Sequence, residues 1–278
     1  MNNLEKNKDK YIVVKEVIRK KNPKLLKWIP SFALRYIERV VHEDDINKVM
    51  AKNGHLDGLE FVDALIEYLG VNVELQGEEN IPLEGGVIFA SNHPLGGLDG
   101  VAFMHAVGKY RKDIKFIVND ILLNVKNLQP LFVGVNKHGA QGRKASLLID
   151  EAYRNDNALL VFPAGLVSRK QKHGIEDLEW KKSFISQSKK YKKDIIPVYI
   201  DGKNSNFFYN FAHIRKKIGI KANIEMFYLP DEMFSQQNKT VTIHIGKPIP
   251  YTFFDDSKTE KQWAQYMKQE TYNLSPKG

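Results

Sequence analysis

The stretch Gly86-Val87-Ile88-Phe89-Ala90-Ser91 is an apolar run of strand length, and Asn92-His93-Pro94-Leu95-Gly96-Gly97-Leu98-Asp99-Gly100 follows it directly. A short, continuous apolar run bounded by turn residues is typical of a strand that is buried on both faces. Such strands belong to sheets that helices cover on both sides. We therefore predict an α/β fold in which the polar run lies at the carboxyl end of a strand, where open α/β sheets bind ligands.

Similar apolar runs recur along the rest of the chain and alternate with stretches of helical periodicity. The predicted strands are Gly86–Ser91, Ile114–Val118, Leu131–Val135, Ala158–Phe162, Ile195–Ile200, Ile224–Phe227 and Val241–Ile245. The predicted helices among and after them are Val101–Tyr110, Arg143–Arg154, Trp180–Tyr191 and Trp263–Tyr272. This alternation indicates a mixed, largely parallel sheet flanked by helices.

Residues 1–70 differ from this pattern and are predicted to be a helical extension of an α/β domain that spans residues 71–278. Apolar residues at helical spacing predict helices at Ile12–Lys21, Leu25–Val41, Asp45–Asn53 and Leu59–Leu69. Pro30 interrupts the second of these, so a kink or two short helices are expected there.

Composition narrows the class of protein. The 42 Lys and Arg residues exceed the 33 Asp and Glu residues, which gives a net charge of +9 and favours anionic partners such as nucleic acid, anionic lipid or an acidic carrier protein. The absence of cysteine excludes a disulfide framework, a thiolate zinc site and a cysteine acyl-enzyme. A basic nucleic-acid or anionic-surface binding protein remains an alternative, although no helix-turn-helix, zinc-finger or aromatic RNA-binding pattern accompanies the charge. The histidines show no metal-binding spacing, and we expect neither a metal nor a cofactor.

The polar run after the first strand contains a histidine and an aspartate that can act together in proton transfer. Pro94 disfavours helical backbone at His93 and keeps this residue extended, and Gly96-Gly97 permits a tight reversal that folds Asp99 back. A neutral imidazole takes a hydroxyl proton when one ring nitrogen is free and an acceptor holds the other. We predict that His93 is a general base and Asp99 its orienting partner. The alternative is an aspartate that only caps the next helix and a structural loop histidine.

A second motif, Phe162-Pro163-Ala164-Gly165-Leu166-Val167-Ser168-Arg169, also follows an apolar run. A Pro-x-Gly turn after a strand exposes backbone N–H groups at the edge of the sheet. Arg169 can form two parallel bonds to an anionic headgroup. The alternative is an ordinary turn at a strand end with a solvated arginine.

Together these motifs resemble the PlsC-like glycerolipid acyltransferase superfamily, whose signature is Asn-His followed by an aspartate. The form Asn92–Gly100 is most similar to a bacterial branch that O-acylates lyso-lipids, including lyso-aminolipids. Two departures stand out: five residues separate His93 from Asp99 where the family usually has four, and Ala164 replaces the family's glutamate in the Phe-Pro-Glu-Gly block.

The resemblance implies an O-acyltransferase that moves a fatty acyl group from a thioester of acyl carrier protein or coenzyme A to the hydroxyl of a lyso-lipid in membrane lipid biosynthesis. It implies His93 and Asp99 as catalytic residues. The substrate-binding residues that it implies are Asn92, Gly96, Gly97, Phe162, Pro163, Gly165, Ser168 and Arg169. A His/Asp-dependent lipid hydrolase, which would use water in place of the lipid hydroxyl, is the alternative enzyme.

A membrane surface is the expected location, on the cytoplasmic face and without a spanning segment. Met1–Lys10 is polar and lacks the apolar core of a signal peptide, and no stretch approaches the roughly 20 apolar residues that span a bilayer. Lys24–Arg35 mixes basic and aromatic residues, which suits an interfacial helix or a helix packed on the domain. The basic residues between Lys170 and Lys193 form either a solvated surface or a docking site for acyl carrier protein. We expect no nucleic-acid partner.

Overall fold

The computed structural model describes residues 10–21, 23–119, 122–135, 139–172 and 174–276, so most of the predicted polar start Met1–Lys10 lies outside the described residues. The α-helices are α1 (Val14–Lys21), α2 (Pro23–Trp28), α3 (Ser31–Val40), α4 (Glu43–Asn53), α5 (Gly58–Leu69), α6 (Gly97–Gly108), α7 (Gly139–Arg154), α8 (Ser183–Tyr191), α9 (Asn206–Lys217), α10 (Leu229–Phe234) and α11 (Glu260–Asn273). The strands are β1 (Asn72–Gln76), β2 (Val87–Ser91), β3 (Lys115–Asn119), β4 (Phe132–Val135), β5 (Ala158–Val161), β6 (Arg169–Gln171), β7 (Gly174–Glu176), β8 (Asp194–Ile200) and β9 (Thr240–Ile245). Short 3₁₀ helices occupy Glu78–Asn80, Leu122–Asn124, Lys126–Leu128, Ile224–Tyr228 and Tyr251–Phe253.

Within the described residues, seven strands form the main sheet in the order β1-β9-β8-β2-β5-β3-β4. From β8 to β4 all neighbouring strands are parallel. β9 is antiparallel to β8, and β1 pairs in parallel with β9 at the edge. β6 and β7 form a separate antiparallel hairpin. This confirms the predicted mixed, largely parallel sheet.

β2 is the central strand that positions the polar run, and all five of its residues are buried. Alternate side chains of this strand point into two cores. Phe89 packs in the core that contains Phe103 of α6, whereas Ile88 packs in the core that contains Phe184 of α8 and Met267 of α11. Complete burial of such a side chain stabilises the fold by about 1.5–3 kcal/mol. β2 is therefore held from both faces, and the residues that follow it start from a fixed position.

One predicted strand is wrong: Ile224–Phe227 lies within the 3₁₀ helix Ile224–Tyr228. The physical reason is an inverted burial pattern, because Glu225 is completely buried whereas Ile224 and Phe227 are 41% and 43% exposed. Arg169 and Arg215 hold the Glu225 carboxylate. The ion pairs bury the acidic residue and turn its apolar neighbours outward.

The sequence patterns did not indicate β1, the β6–β7 hairpin or α9. In the N-terminal part, the chain divides at Pro30 into α2 and α3, which is one of the two outcomes expected there. α5 packs against α6, and its residues Phe61 and Val62 belong to the same core as Phe89. Val49 of α4 belongs to this core as well, so α4 and α5 are continuous with the sheet domain.

Candidate active site

His93 and Asp99 meet at the carboxyl end of β2. The Asp99 carboxylate oxygen Oδ2 accepts a hydrogen bond from His93 Nδ1 at 2.8 Å. The same oxygen accepts the backbone N–H groups of Leu95 at 2.7 Å and Gly96 at 2.9 Å. Asp99 lies in the first turn of α6 and is completely buried. The carboxylate therefore orients the imidazole and caps the helix at the same time.

Gly96 makes the reversal that brings the two side chains together. Its backbone adopts φ 85° and ψ −123°, a conformation that is open to glycine and not to residues with a side chain. A Cβ atom at this position would lie 2.9 Å from Leu229 Cδ2. The turn thus requires glycine for its backbone and for the close approach of α10.

Burial raises the pKa of the Asp99 carboxyl, and the hydrogen bond from His93 opposes this effect. The second oxygen, Oδ1, is buried without a hydrogen-bond partner among the described residues. A carboxylate in such a site has little solvation, so a positive charge on the adjacent imidazole stabilises it strongly. The pair is suited to a reaction in which His93 gains a proton.

One face of the His93 imidazole stacks on an aromatic side chain of the second motif. The rings of His93 and Phe162 stack with centroids 4.1 Å apart and an interplanar angle of 14°. Phe162 in turn contacts Phe103 and Phe116 of the core. Within the described residues Nε2 of His93 has no hydrogen-bond partner, and the side chain is 17% exposed. One ring nitrogen is thus held and the other is available to a substrate.

Asp177, which the sequence motifs did not indicate, fixes the backbone of the histidine. Its Oδ1 accepts the N–H of His93 at 3.2 Å and the hydroxyl of Ser168 at 2.6 Å, and its Oδ2 accepts Trp180 Nε1 at 2.9 Å. Burial raises the pKa of this carboxyl, while the bonds from Ser168 and Trp180 oppose the rise. Asp177 lies 84 positions after His93, outside both motifs, and no local pattern marks it.

Asn92 and Ser168 are both buried. Both form hydrogen bonds that connect the loop containing His93 to neighbouring parts of the sheet edge. The Asn92 side chain donates to the carbonyl of Ile200 at 3.0 Å and accepts its N–H at 2.7 Å, which joins the loop to the end of β8. Ser168 donates its backbone N–H to the carbonyl of His93 at 2.7 Å. The contacts found for these two predicted substrate-binding residues are internal, and contact with a substrate stays a prediction.

Arg169 is also buried, in an ion-pair cluster at the start of β6. Its Nη2 lies 2.8 Å from Glu225 Oε1, and its Nη1 donates to the carbonyls of Val167 and Ser168. Arg215 of α9 binds the other oxygen of Glu225 at 2.8 Å. The guanidinium that the sequence assigns to an anionic headgroup therefore has internal partners, and its predicted headgroup contact is untested.

The remaining predicted substrate-binding residues border the same edge. Gly165 adopts φ 66° and its N–H donates to the carbonyl of Phe162 at 3.0 Å, which closes the turn that contains Pro163. Gly97 is the first residue of α6 and would place a Cβ 3.5 Å from Met233 Sδ, an ordinary contact. The two motifs thus converge around His93 from β2 and β5, which are adjacent strands.

Two negative findings concern the described part of the chain. It contains no group of three or more histidine, aspartate or glutamate residues that could hold a metal ion. None of its helices is long and apolar enough to cross a membrane.

Comparison with known proteins identifies the family. Residues 16–277 match the family model described as Acyltransferase. The chain is 46% identical over 264 residues to the lyso-glycine lipid O-acyltransferase of Bacteroides thetaiotaomicron, with 95% of this chain and 97% of that protein covered. It is 43% identical over 264 residues to the Phocaeicola vulgatus protein of the same name, with 95% of each covered. Among solved structures, the 1-acyl-sn-glycerophosphate acyltransferase PlsC of Thermotoga maritima aligns with a TM-score of 0.48 and 17% identity over 87% of this chain and 92% of that chain. The family match and the two full-length relatives show that this chain belongs to the acyltransferase family.

Proposed function

We propose that this acyltransferase transfers a fatty acyl group from an acyl thioester to the hydroxyl of a lyso-aminolipid of the lyso-glycine lipid type. The acceptor class is supported by the names of two relatives that are 46% and 43% identical over nearly their full lengths. The observation that carries the chemistry is the 2.8 Å bond between His93 Nδ1 and Asp99, which leaves Nε2 without a partner among the described residues.

In the proposed reaction the lipid hydroxyl donates a hydrogen bond to His93 Nε2 and its oxygen attacks the thioester carbonyl. His93 takes the hydroxyl proton as the carbon–oxygen bond forms. Asp99 holds Nδ1–H and stabilises the imidazolium. The tetrahedral intermediate then collapses, the carbon–sulfur bond breaks, and the proton passes to the thiolate. The new ester and a free thiol are the products, and no acyl-enzyme is needed.

The oxyanion of this intermediate requires N–H donors beside His93. Pro163 has no N–H, and the Gly96 and Gly165 groups already donate to Asp99 and Phe162. Gly97 N–H and Ala164 N–H make none of the backbone hydrogen bonds found among the described residues. We assign the oxyanion to these two groups, one from each motif.

The acyl donor in this proposal is the thioester of acyl carrier protein or of coenzyme A, and no cofactor takes part. The basic stretch between Lys170 and Lys193, predicted to be either a solvated surface or a docking site for a carrier protein, is partly neutralised: Lys182, Lys189 and Lys190 form ion pairs with Glu260, Asp256 and Asp150. Lys193 is buried and donates to the carbonyl of Asn155. Lys170, Lys172 and Lys192, which are exposed and form no ion pair with a described residue, are left to attract an acidic carrier.

The acceptor is a membrane lipid, so we also propose attachment to the cytoplasmic face of a membrane through the N-terminal helices. Trp28 and Phe32 are 85% and 71% exposed. Aromatic residues of this kind are stable at the boundary between headgroups and acyl chains. Arg35, which is exposed on the same helix as Phe32, adds attraction to anionic headgroups.

His93→Ala tests the chemistry. It is expected to lower kcat by at least about a hundredfold, the usual contribution of a general base. His105→Ala is a matched control, because His105 forms a similar bond to Asp63 at 2.7 Å with the same 17% side-chain exposure, but lies further along α6. A folded His93→Ala enzyme with near-normal transfer would refute the assignment.

Product analysis tests the acceptor. The purified protein is given an acyl thioester with lyso-glycine lipid, with lysophosphatidate or with no acceptor, and O-acylated products are measured by mass spectrometry. We expect an ester only with lyso-glycine lipid and little thioester loss without acceptor. Thioester consumption that does not depend on acceptor would identify a hydrolase instead. Transfer to lysophosphatidate alone would overturn the acceptor class and leave the His93 chemistry in place.

A further inference from the structure

α9 carries apolar residues on its outer side as well as on its inner side. Phe208 and Ala212 are buried against the domain, as expected for a packed helix. Phe207, Ile214 and Ile218 are 53%, 55% and 65% exposed. They follow one another at spacings of seven and four residues, so they form a single stripe along the helix. Together with the exposed Ile224 and Phe227 of the following 3₁₀ helix, they form what we call the α9 face.

The charge of the α9 face is entirely positive at its surface. Residues 205–224 contain no acidic residue, and Lys216, Lys217 and Lys221 are exposed. These three lysines make no ion pair with any residue that the structure describes. The lysines of α8 differ, because Lys189 and Lys190 are paired with aspartates. Unpaired basic side chains around exposed apolar ones are the composition of a surface that binds an anionic bilayer.

The α9 face is continuous with the exposed aromatic residues of the N-terminal helices. Tyr228 joins the two: its hydroxyl lies 3.0 Å from that of Tyr36 in α3, and its ring lies 5.0 Å from that of Phe207. His42, at the start of α4, bonds Asp231 of α10 at 3.1 Å. The two apolar surfaces therefore lie side by side on one body.

The residues that flank the α9 face in the chain contact the loop that follows His93. Leu229 of α10 packs against Gly96, as the 2.9 Å approach to a Cβ built there shows. Asn204, just before α9, donates to the carbonyl of Pro94 at 3.1 Å. The face is thus attached directly to the loop that presents His93, and a lipid that enters beside it has a short path to the imidazole.

We infer that the α9 face is a second membrane-binding surface, in the catalytic domain itself, and that it seats the active-site edge on an anionic bilayer. Each apolar side chain that leaves water for the acyl boundary favours binding, and each lysine adds attraction to anionic headgroups. The delivery of acceptor to His93 from this surface rests on the proposed function; the binding of the bilayer does not.

Vesicle co-sedimentation of the full chain tests the binding. Ile214→Ser with Ile218→Ser, and Lys216→Gln with Lys217→Gln, should each weaken binding to vesicles with anionic lipid by at least about tenfold. Leu83→Ser is the apolar control, because Leu83 is 69% exposed just before β2, at the opposite edge of the sheet from His93. Lys109→Gln with Lys112→Gln removes the same charge from that opposite edge. Both controls should bind like the unchanged protein.

Circular dichroism and thermal melting confirm that each variant is folded. Equal vesicle binding by the α9 variants and their controls overturns the proposal, as does wild-type binding that is indifferent to anionic lipid. Analytical ultracentrifugation without lipid tests the alternative that a second copy of the chain covers the α9 face. A dimer that the α9 variants abolish would overturn the membrane proposal and assign the face to that second copy.

An activity measurement then separates the two proposals. With a short-chain, monomerically dissolved acceptor the α9 variants should match the unchanged enzyme, and with acceptor embedded in anionic vesicles they should lose activity in parallel with binding. If the unchanged enzyme acylates neither acceptor, the proposed function fails while the vesicle result still decides the α9 face. Equal loss with both acceptors would overturn the delivery of acceptor to His93 from the α9 face, and the vesicle result alone would decide the membrane contact.

Discussion

Asp99 Oδ2 lies 2.8 Å from His93 Nδ1 although five residues separate the two in the chain. The carboxylate reaches back because the intervening chain reverses at Gly96, and the same oxygen accepts the N–H groups of Leu95 and Gly96. The longer spacing between the two catalytic residues is therefore absorbed by one glycine-only backbone conformation, and the dyad closes.

Replacement of Asp99 by asparagine should separate its two roles. The amide oxygen can still accept the N–H groups of Leu95 and Gly96, so the cap and the fold are retained. The neutral side chain cannot stabilise a positive imidazole, and we expect kcat to fall by at least about a hundredfold with little change in KM. Steady-state kinetics and thermal melting check this. A variant with full kcat would show that Asp99 only caps α6.

The turn itself is tested by Gly96→Ala. A side chain at φ 85° and ψ −123° is strained by about 1–3 kcal/mol, and its Cβ would press on Leu229. We expect a lower free energy of unfolding in urea and a reduced kcat, because relief of the strain moves Asp99 away from His93. Gly97→Ala is the control for stability, since a Cβ there makes only ordinary contacts. Equal stability of the two variants would contradict this account of the turn.

Most of the fold was predictable because the buried strands are continuous apolar runs. β2 and β5 needed only their own sequences to be recognised. The segment Ile224–Phe227 was misassigned because its apolar residues resemble those of a short strand. Which of its side chains are buried depends on Arg169 of β6 and Arg215 of α9, which pair with Glu225. α9 was missed because it is apolar on both sides, so that its sequence lacks a clear polar face.

The sequence predicted those contacts of the candidate site that form within the single loop from His93 to Asp99. The relation of His93 to Asp99 depends on local backbone chemistry, and the sequence contains it. The stacking of Phe162 on the imidazole follows from the pairing of β2 with β5, which strand prediction alone does not specify. Asp177 could not be found, because it reaches His93 only through the tertiary fold.

Asp177 should make stability depend on pH. Burial raises the pKa of this carboxyl above its ordinary value of 3.8 in the folded protein. The folded state therefore holds the proton more tightly than the unfolded state, and stability from this group is lost as pH rises from about 4 through the raised pKa. Asp177→Asn removes the titration. We expect the stability of the wild type relative to this variant to decrease with rising pH, as measured by urea unfolding at several pH values. A constant difference would contradict the raised pKa.

Arg169→Leu decides between an internal and a substrate-binding role for this side chain. The structure pairs Arg169 with Glu225, which is completely buried and shared with Arg215. Arg215 still pairs with Glu225 in this variant, but Glu225 Oε1 keeps only the longer 3.3 Å bond from Arg215, and the carbonyls of Val167 and Ser168 lose their donor. Each buried polar group left without its partner costs about 1–3 kcal/mol. We expect a large loss of unfolding free energy and an unchanged KM for the acceptor when kinetics are measured below the melting transition. Lys170→Leu, at the exposed neighbouring position, should leave both quantities unaltered. A stable Arg169→Leu protein with a raised acceptor KM would instead show that the guanidinium leaves Glu225 to bind the lipid headgroup.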